Sequence, residues 1–293
     1  MVIVLLAAYA IASHLLRLDF TELPVRETSF VPGDGGAVKQ FSVRVNTYKR
    51  NENLKRSVEV VAKCPSVASL TIVWSEQEND PPPLDFFAPH ARPLISVEKH
   101  TVNSLNNRFR ALTQPTTEAV FSMDDDVLFR CQDLAFAFDT WKAAKGTMVG
   151  FHPRLVTLDR ATGQHRYRSW WYVWRTGAYN MVLTKAAFFH RDYLETYFSV
   201  LSDEARAYVD ATRNCDDVAM AALIAHVSGA PPIWVEADTS DLGVTNAISA
   251  SRDHFAERGR CLDFFVAQLG GASPFRTAQF KAVRAKRLWW FTR

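Results

Sequence analysis

Asp124-Asp125-Asp126 stands directly after the apolar run Ala119-Val-Phe-Ser-Met123 and directly before Val127-Leu128-Phe129. A buried strand that ends in consecutive acids gathers mutually repelling charge at a strand tip, where open α/β sheets bind their ligands. A cation relieves that repulsion. Hard divalent ions such as Mg²⁺ or Mn²⁺ take carboxylate oxygens and keep positions free for substrate phosphates. The triplet therefore reads as a metal bridge to a phosphorylated donor, with a solvated acidic turn as the plainer alternative.

The chain around the triplet alternates. Phe41 to Asn46 has strand spacing, Leu54 to Lys63 has helical spacing with a start at Asn51 or Asn53, and Ser69 to Trp74 and Leu94 to Val97 are further strands. Ser104 to Leu112 predicts a helix leading into the strand before the acids. Beyond them, Gln132 to Ala144 predicts a helix, Thr147 to Gly150 and Tyr179 to Leu183 strands, and Ala186 to Phe198 and Ser202 to Thr212 helices. Asn214-Cys215-Asp216-Asp217 then opens the apolar helix Val218 to His226. Such alternation implies an α/β fold with a mostly parallel sheet and its ligand at the strand ends.

The ends of the chain differ from its body. Residues 1–16 begin with twelve almost wholly apolar residues, fewer than the roughly 20 of a full membrane span, and fit a signal peptide or short signal anchor. Residues 17–40, with Pro24, Pro32 and Gly33-Asp34-Gly35-Gly36, read as a linker, 41–270 as the catalytic body and 271–293 as a basic, aromatic tail. Residues 276–293 carry six Lys or Arg and no acid. The net charge of +3 therefore conceals a body with 28 basic against 31 acidic residues, and no general nucleic-acid surface follows. The tail reads as a packed helix with solvated lysines, or as a contact to an anionic membrane surface.

Several chemistries are excluded by absent motifs: there is no GxGxxG, GxxxxGK[ST], GxSxG or HExxH. Four cysteines without CxxC spacing allow a disulfide without specifying one, and there is no Asn-x-Ser/Thr acceptor. His152, His165, His190 and His226 read as core or surface residues. His254 stands apart because Arg258 follows it by one helical turn.

Ten short segments in one order carry a further reading. They are Asn46-Thr-Tyr-Lys-Arg50, Ile72-Val-Trp74, Asn103-Ser-Leu-Asn-Asn-Arg108-Phe, Met123-Asp-Asp-Asp126, Asp133-Leu-Ala-Phe-Ala-Phe, Val149-Gly-Phe151, Tyr179-Asn-Met-Val-Leu, Ala187-Phe-Phe, Asn214-Cys-Asp-Asp217 and Arg258-Gly-Arg-Cys261. In this order the chain resembles the exostosin-like family of nucleotide-sugar glycosyltransferases over about residues 40–270. The resemblance implies a GT-A type α/β fold, a Rossmann-like mixed sheet flanked by helices with a smaller acceptor-binding half, and transfer with retention at the anomeric carbon.

The same resemblance assigns roles residue by residue. Arg50, Asn103 and Arg108 match donor-binding positions, and guanidinium forks with a carboxamide suit a diphosphate or a base edge. Asp124 and Asp125 would face the ribose or donor sugar, and Asp126 would hold Mn²⁺ or Mg²⁺. Asp217 matches the catalytic carboxylate, as an oxocarbenium stabiliser or a nucleophile, while Asp216 and Asp217 both also suit a helix N-terminus. Arg258 matches the second catalytic position, holding the departing diphosphate or orienting the acceptor. Cys215 and Cys261 are paired in the family.

Some residues depart from the pattern. Ser75-Glu76 stands where relatives place asparagines near the nucleotide, and the segment Tyr167-Arg-Ser-Trp170-Trp171-Tyr-Val-Trp174-Arg175 reads as a sugar-stacking surface or a buried strand. The first-choice donor is UDP-GlcNAc or UDP-GalNAc and the acceptor a glycan or glycolipid. The expected location is the lumen of the Golgi or endoplasmic reticulum, with type II orientation if the N-terminus anchors in the membrane. GDP-mannose-dependent transfer and a noncatalytic carbohydrate-binding descendant are the alternatives. An aspartyl phosphatase is disfavoured because Leu128 stands where Thr or Val is required.

Overall fold

A computed structural model describes residues 38–87, 94–242 and 254–284 of the chain. The apolar segment 1–16, the linker up to residue 37 and the tail from 285 lie outside the described residues. Chain order gives β1 (Phe41–Thr47), α1 (Asn51–Val61), β2 (Val67–Trp74), β3 (Leu94–Lys99), β4 (Ala119–Asp124), β5 (Val127–Leu128) and α2 (Cys131–Lys142). Next come β6 (Val149–Gly150), β7 (Pro153–Leu158), β8 (His165–Arg168), α3 (Trp170–Thr176), β9 (Met181–Val182), β10 (Ala186–His190), α4 (Asp192–Val200) and α5 (Asp203–Thr212). The last are α6 (Asp216–Ser228), β11 (Ile233–Glu236), β12 (Ser240–Asp241), α7 (His254–Gln268) and β13 (Lys281–Val283).

Eight strands form one mixed sheet in the order β13-β11-β6-β10-β4-β1-β2-β3. β1, β2, β3 and β4 run parallel, as do β6, β11 and β13, while β10 is antiparallel to both its neighbours. The parallel strands end on one edge, where Asn46 stands level with Asp124 and Thr47 with Trp74. Running the other way, β10 starts at that edge and brings Thr184 and Lys185 to it.

Helices cover both faces, so the central strands are apolar throughout rather than alternating. On one face Phe41, Phe121, Phe188, Phe138 and Trp141 pack with Leu54 and Val58 of α1. On the other, Val120 and Phe189 meet α6, which is buried all round from Asp216 to Ala225 as expected of a core helix. Gly150 lets β6 and β10 close up: a Cβ there would lie 2.5 Å from the Ala186 carbonyl oxygen.

The sequence expectations fail at four places. Ala186 to Phe198 is not one helix: Ala186–His190 is β10, five consecutive buried residues whose unbroken apolar run carries no period of its own. Ser104 to Leu112 makes only a 3₁₀ turn at Leu105–Arg108, because Ser104, Asn106 and Asn107 direct their side chains to Asp210, Arg206 and Ser75 rather than leaving the backbone to coil regularly. The aromatic segment 167–175 is not a buried strand but the end of β8 followed by α3. Lys281–Val283 extends the sheet instead of forming a helix.

Two disulfides tie the layers. Cys64–Cys131 joins the end of α1 to the start of α2, and Cys215–Cys261 joins α6 to α7, as the family resemblance implied. Closing segments of 67 and 46 residues, each is worth about 4 kcal/mol in the chain-entropy account.

Candidate active site

The acids of the triplet point three ways. Asp124 extends β4, its backbone N–H donating to the Lys185 carbonyl at 3.0 Å, and its Oδ1 meets Arg108 Nη2 at 2.6 Å. Asp125 turns back beneath β1, where Thr47 Oγ1 donates to it at 2.7 Å and Arg50 Nη2 pairs with it at 2.7 Å. Asp126 Oδ2 takes Arg50 Nη1 at 2.8 Å. Its other oxygen, Oδ1, is buried and has no partner among the described residues.

Arg50 reaches two acids because Lys49, with φ of 56°, turns the chain sharply out of β1. Burial pushes the Asp125 carboxyl up to about 7 against the opposing pull of Arg50. Asp126 is also raised, by burial and then by the charge of Asp124. Both would be better neutralised than they are.

A second acidic pair opens α6. Cys215 takes a left-handed conformation, φ 71°, immediately before Asp216 and Asp217, and its disulfide to Cys261 holds that turn against α7. Asp216 Oδ2 meets Arg108 Nε at 2.8 Å, so one buried guanidinium joins the two acidic groups across the edge of the sheet. Asp217 Oδ2 accepts from Arg258 Nη1 at 2.6 Å, and its Oδ1 accepts from the N–H of the next residue, Val218, at 2.8 Å in the first turn of the helix. Burial, the largest influence, would raise Asp217, but Arg258 together with Arg108 and the Val218 N–H outweighs it and holds the carboxyl below its ordinary value. Burial takes Asp216 the other way, up to about 6.

The structure thus gathers three ion-paired groups, Arg50 with Asp125 and Asp126, Arg108 with Asp124 and Asp216, and Arg258 with Asp217, which follow one another through the adjoining residues of the triplet and of the α6 start. Asn103 is exposed, and among the described residues no hydrogen bond joins it to these groups. His254 is buried at the start of α7 with its ring edge-on to Tyr167. Sequence reasoning missed Thr47 as the partner of Asp125. It also missed Tyr167, whose ring lies 5.1 Å from the Arg258 guanidinium and whose hydroxyl accepts from Arg258 Nη1 at 3.3 Å. A strand-end threonine carries no signal of its own, and Tyr167 was hidden among neighbouring aromatics.

Beside Arg50 a cavity of about 580 Å³ is lined by Lys49, Arg50, Asn51, Glu52, Asn53, Glu76 and Asn79. Of the departing pair, Ser75 accepts from the Asn107 amide at 3.0 Å, while Glu76 lines this cavity and accepts from Asn79.

A mixed α/β sheet with an acid triplet at the tip of its central strand, faced by an arginine-paired carboxylate on a core helix, is the layout of a GT-A type glycosyltransferase. Residues 41–289 match the Glycosyl transferase family 64 domain, and the chain belongs to that family. It is 37% identical to Glycosylinositol phosphorylceramide mannosyl transferase 1 of Arabidopsis thaliana over 268 residues, 87% of this chain and 80% of that protein. It is 32% identical to Exostosin-2 of Homo sapiens over 83% of this chain, and 35% identical to Glucosamine inositolphosphorylceramide transferase 1 of Oryza sativa subsp. indica over 80% of it. Of these last two proteins the chain spans only 34% and 32%. A solved structure of the mannosyltransferase PcManGT from Pyrobaculum calidifontis aligns with a TM-score of 0.48 at 18% identity, over 79% of this chain and 64% of that one, too distant to add to the argument.

Proposed function

We propose that this chain is a retaining, divalent-metal-dependent transferase that moves a hexose from a nucleotide sugar to a glycolipid headgroup in the secretory pathway. The carrying observation is Asp126 Oδ1, a buried carboxylate oxygen with no partner among the described residues, set beside two acids and the outward-reaching Arg50. Such an oxygen suits Mn²⁺ or Mg²⁺, and among the described residues no three side chains are grouped to hold an ion unaided. That fits an ion completed by donor phosphates and water. When bound, the ion would supply Lewis-acid neutralisation of the departing diphosphate.

The chain's own residues do the rest. Arg50, half-exposed beside the Glu76 and Asn79 cavity, keeps guanidinium N–H groups beyond those given to Asp125 and Asp126 for a phosphate or base, and the partly exposed Asp124 could accept from a sugar or ribose hydroxyl, while the fully buried Asp125 braces Arg50. Asp217, kept ionised by Arg258, would stabilise positive charge developing at the anomeric carbon. The disulfide at Cys215 and Cys261 fixes that pair. Two disulfides in the described residues also suit an oxidising compartment.

The donor reading moves with the relatives. The relative matched over four fifths of its length is named as a mannosyl transferase of glycosylinositol phosphorylceramide, which favours GDP-mannose over our first choice of UDP-GlcNAc or UDP-GalNAc. The glucosamine-transferring relative keeps the UDP reading as the alternative. Thermal-shift measurements with GDP and UDP in the presence of Mn²⁺ separate them, since only a ligand of the folded state raises the melting point. A UDP-only response overturns the mannose reading. Asp126→Asn should lose most transfer activity while keeping the fold, and near-normal turnover at limiting Mn²⁺ would sink the metal assignment.

A further inference from the structure

The least economical surface of the molecule is α3. Its single fully buried side chain, Val173, packs with Leu155, Ala178, Tyr179 and Ala278 in a small core of its own. Trp170, Trp171 and Trp174 are left 50%, 53% and 58% exposed, stacked on one another with ring centroids 4.8 and 6.4 Å apart. Three tryptophans rarely face water together without something to meet.

Charge indicates what that something is. Residues 165–176 contain three arginines and no acid. The Arg168 and Arg175 guanidiniums both lie over the Tyr172 ring, 4.9 and 5.8 Å from its centroid. Indole rings settle at the boundary between headgroups and acyl chains, and neighbouring arginines are drawn to anionic lipid. A protein partner with an acidic, aromatic face is the competing class, and it would not draw α3 to vesicles of lipid alone.

Position supports the same occupant. β8 runs from His165 to Arg168 directly into α3, and its Tyr167 holds Arg258 of the catalytic pair. Between α3 and the β7–β8 hairpin lies a cavity of about 700 Å³, lined in part by Arg160, Arg166, Arg168 and Tyr172. A bilayer against α3 would therefore meet the segment that follows directly on β8, whose Tyr167 contacts Arg258.

We propose that α3 is a membrane-docking surface, in which Trp170, Trp171 and Trp174 enter the interface of an anionic bilayer and Arg168 and Arg175 meet its phosphates. The inference rests on the glycolipid reading of the acceptor, and its test is run without acceptor or donor. The full chain is mixed with vesicles of brominated phosphatidylcholine containing about a third phosphatidylserine, and tryptophan emission is followed. Bromine quenches only indoles in contact with it, and residues 1–16 contain none, so an N-terminal anchor is invisible to this readout. Three of the eight tryptophans lie on α3, so roughly a third of the emission should be lost, less so as salt rises.

The triple variant Trp170→Ser, Trp171→Ser, Trp174→Ser, checked for an unchanged melting point, should lose that quenching at least about tenfold. Quenching that survives the triple substitution, carried by Trp289 and Trp290, overturns the proposal. So does a dimer in lipid-free solution that the triple substitution converts to monomer, which would make α3 a contact between copies. Unquenched protein that still transfers sugar to a glycolipid refutes the docking surface alone, whereas quenched protein that transfers only to soluble glycans refutes the glycolipid acceptor alone.

Discussion

The two acidic groups of the site are built on opposite plans. At the end of β4, three adjacent carboxylates share Arg50 and Arg108, one oxygen of Asp126 is left unpartnered, and Asp125 and Asp126 are both raised. At the start of α6, Asp217 has a guanidinium to itself and a backbone donor besides, and is held below its ordinary value. The triplet is short of positive charge and the Asp217–Arg258 pair is not, while Asp216 beside that pair shares Arg108 with Asp124 and is raised to about 6. An ion-poor cluster suits a site that completes itself with a cation and a diphosphate. A self-sufficient pair suits a carboxylate whose charge must already be in place when the sugar arrives.

Arg108 belongs to both plans, which makes it the largest lever on the comparison. The sequence reading placed it on the donor; its guanidinium is buried between Asp124 and Asp216, with Nη1 donating to the Thr184 carbonyl at 3.3 Å. Removing one partner of a buried pair costs about 3–5 kcal/mol, and Arg108→Leu strands two carboxylates at once, so a loss near 5 kcal/mol is expected in chemical denaturation. A loss below about 1 kcal/mol would show the two groups to be energetically separate.

Arg258→Gln tests the second group alone, at about 3 kcal/mol near neutral pH because it strands only Asp217. The sign with pH follows from the depressed Asp217. In the parent its contribution is present above the unfolded carboxylate value, about 3.9, and is lost as pH falls below that. Without Arg258, burial dominates and raises the carboxyl, so the deficit of the variant should narrow as pH is lowered from 7 toward 5. Adding Asp217→Asn should recover much of the stability while leaving transfer abolished. A deficit that widens on acidification refutes the pairing as the source of the effect.

Which parts of this arrangement were legible depended on how local their signals are. The acid triplet announced itself because a continuous apolar run and three charges adjoin in sequence. The sharing of Arg108 did not, since Asp216 reaches it only through the docking of α6 on the sheet edge. β10 was misread for a related reason: Ala186-Ala-Phe-Phe-His190 is buried on both sides, so periodicity had nothing to report, and Thr184 and Lys185 were lost from the site with it. The Cys64–Cys131 bridge followed from no spacing rule, and the exposure of the α3 tryptophans could not be told from burial by composition alone.

The smallest effect is also the most selective between the two plans. If the cation is wanted at the β4 group, Mn²⁺ should stabilise the parent by RT ln(1 + [L]/Kd), about 1.4 kcal/mol at ten times the dissociation constant, or a few degrees of melting temperature. Asp126→Asn removes the orphan oxygen's carboxylate and should abolish that shift. Asp217→Asn lies in the group that already has its cation and should leave the shift intact. Equal shifts in both variants would place the ion elsewhere, whereas loss of the shift in Asp217→Asn alone would invert the comparison and make the α6 pair, not the strand tip, the part of the site that awaits a metal.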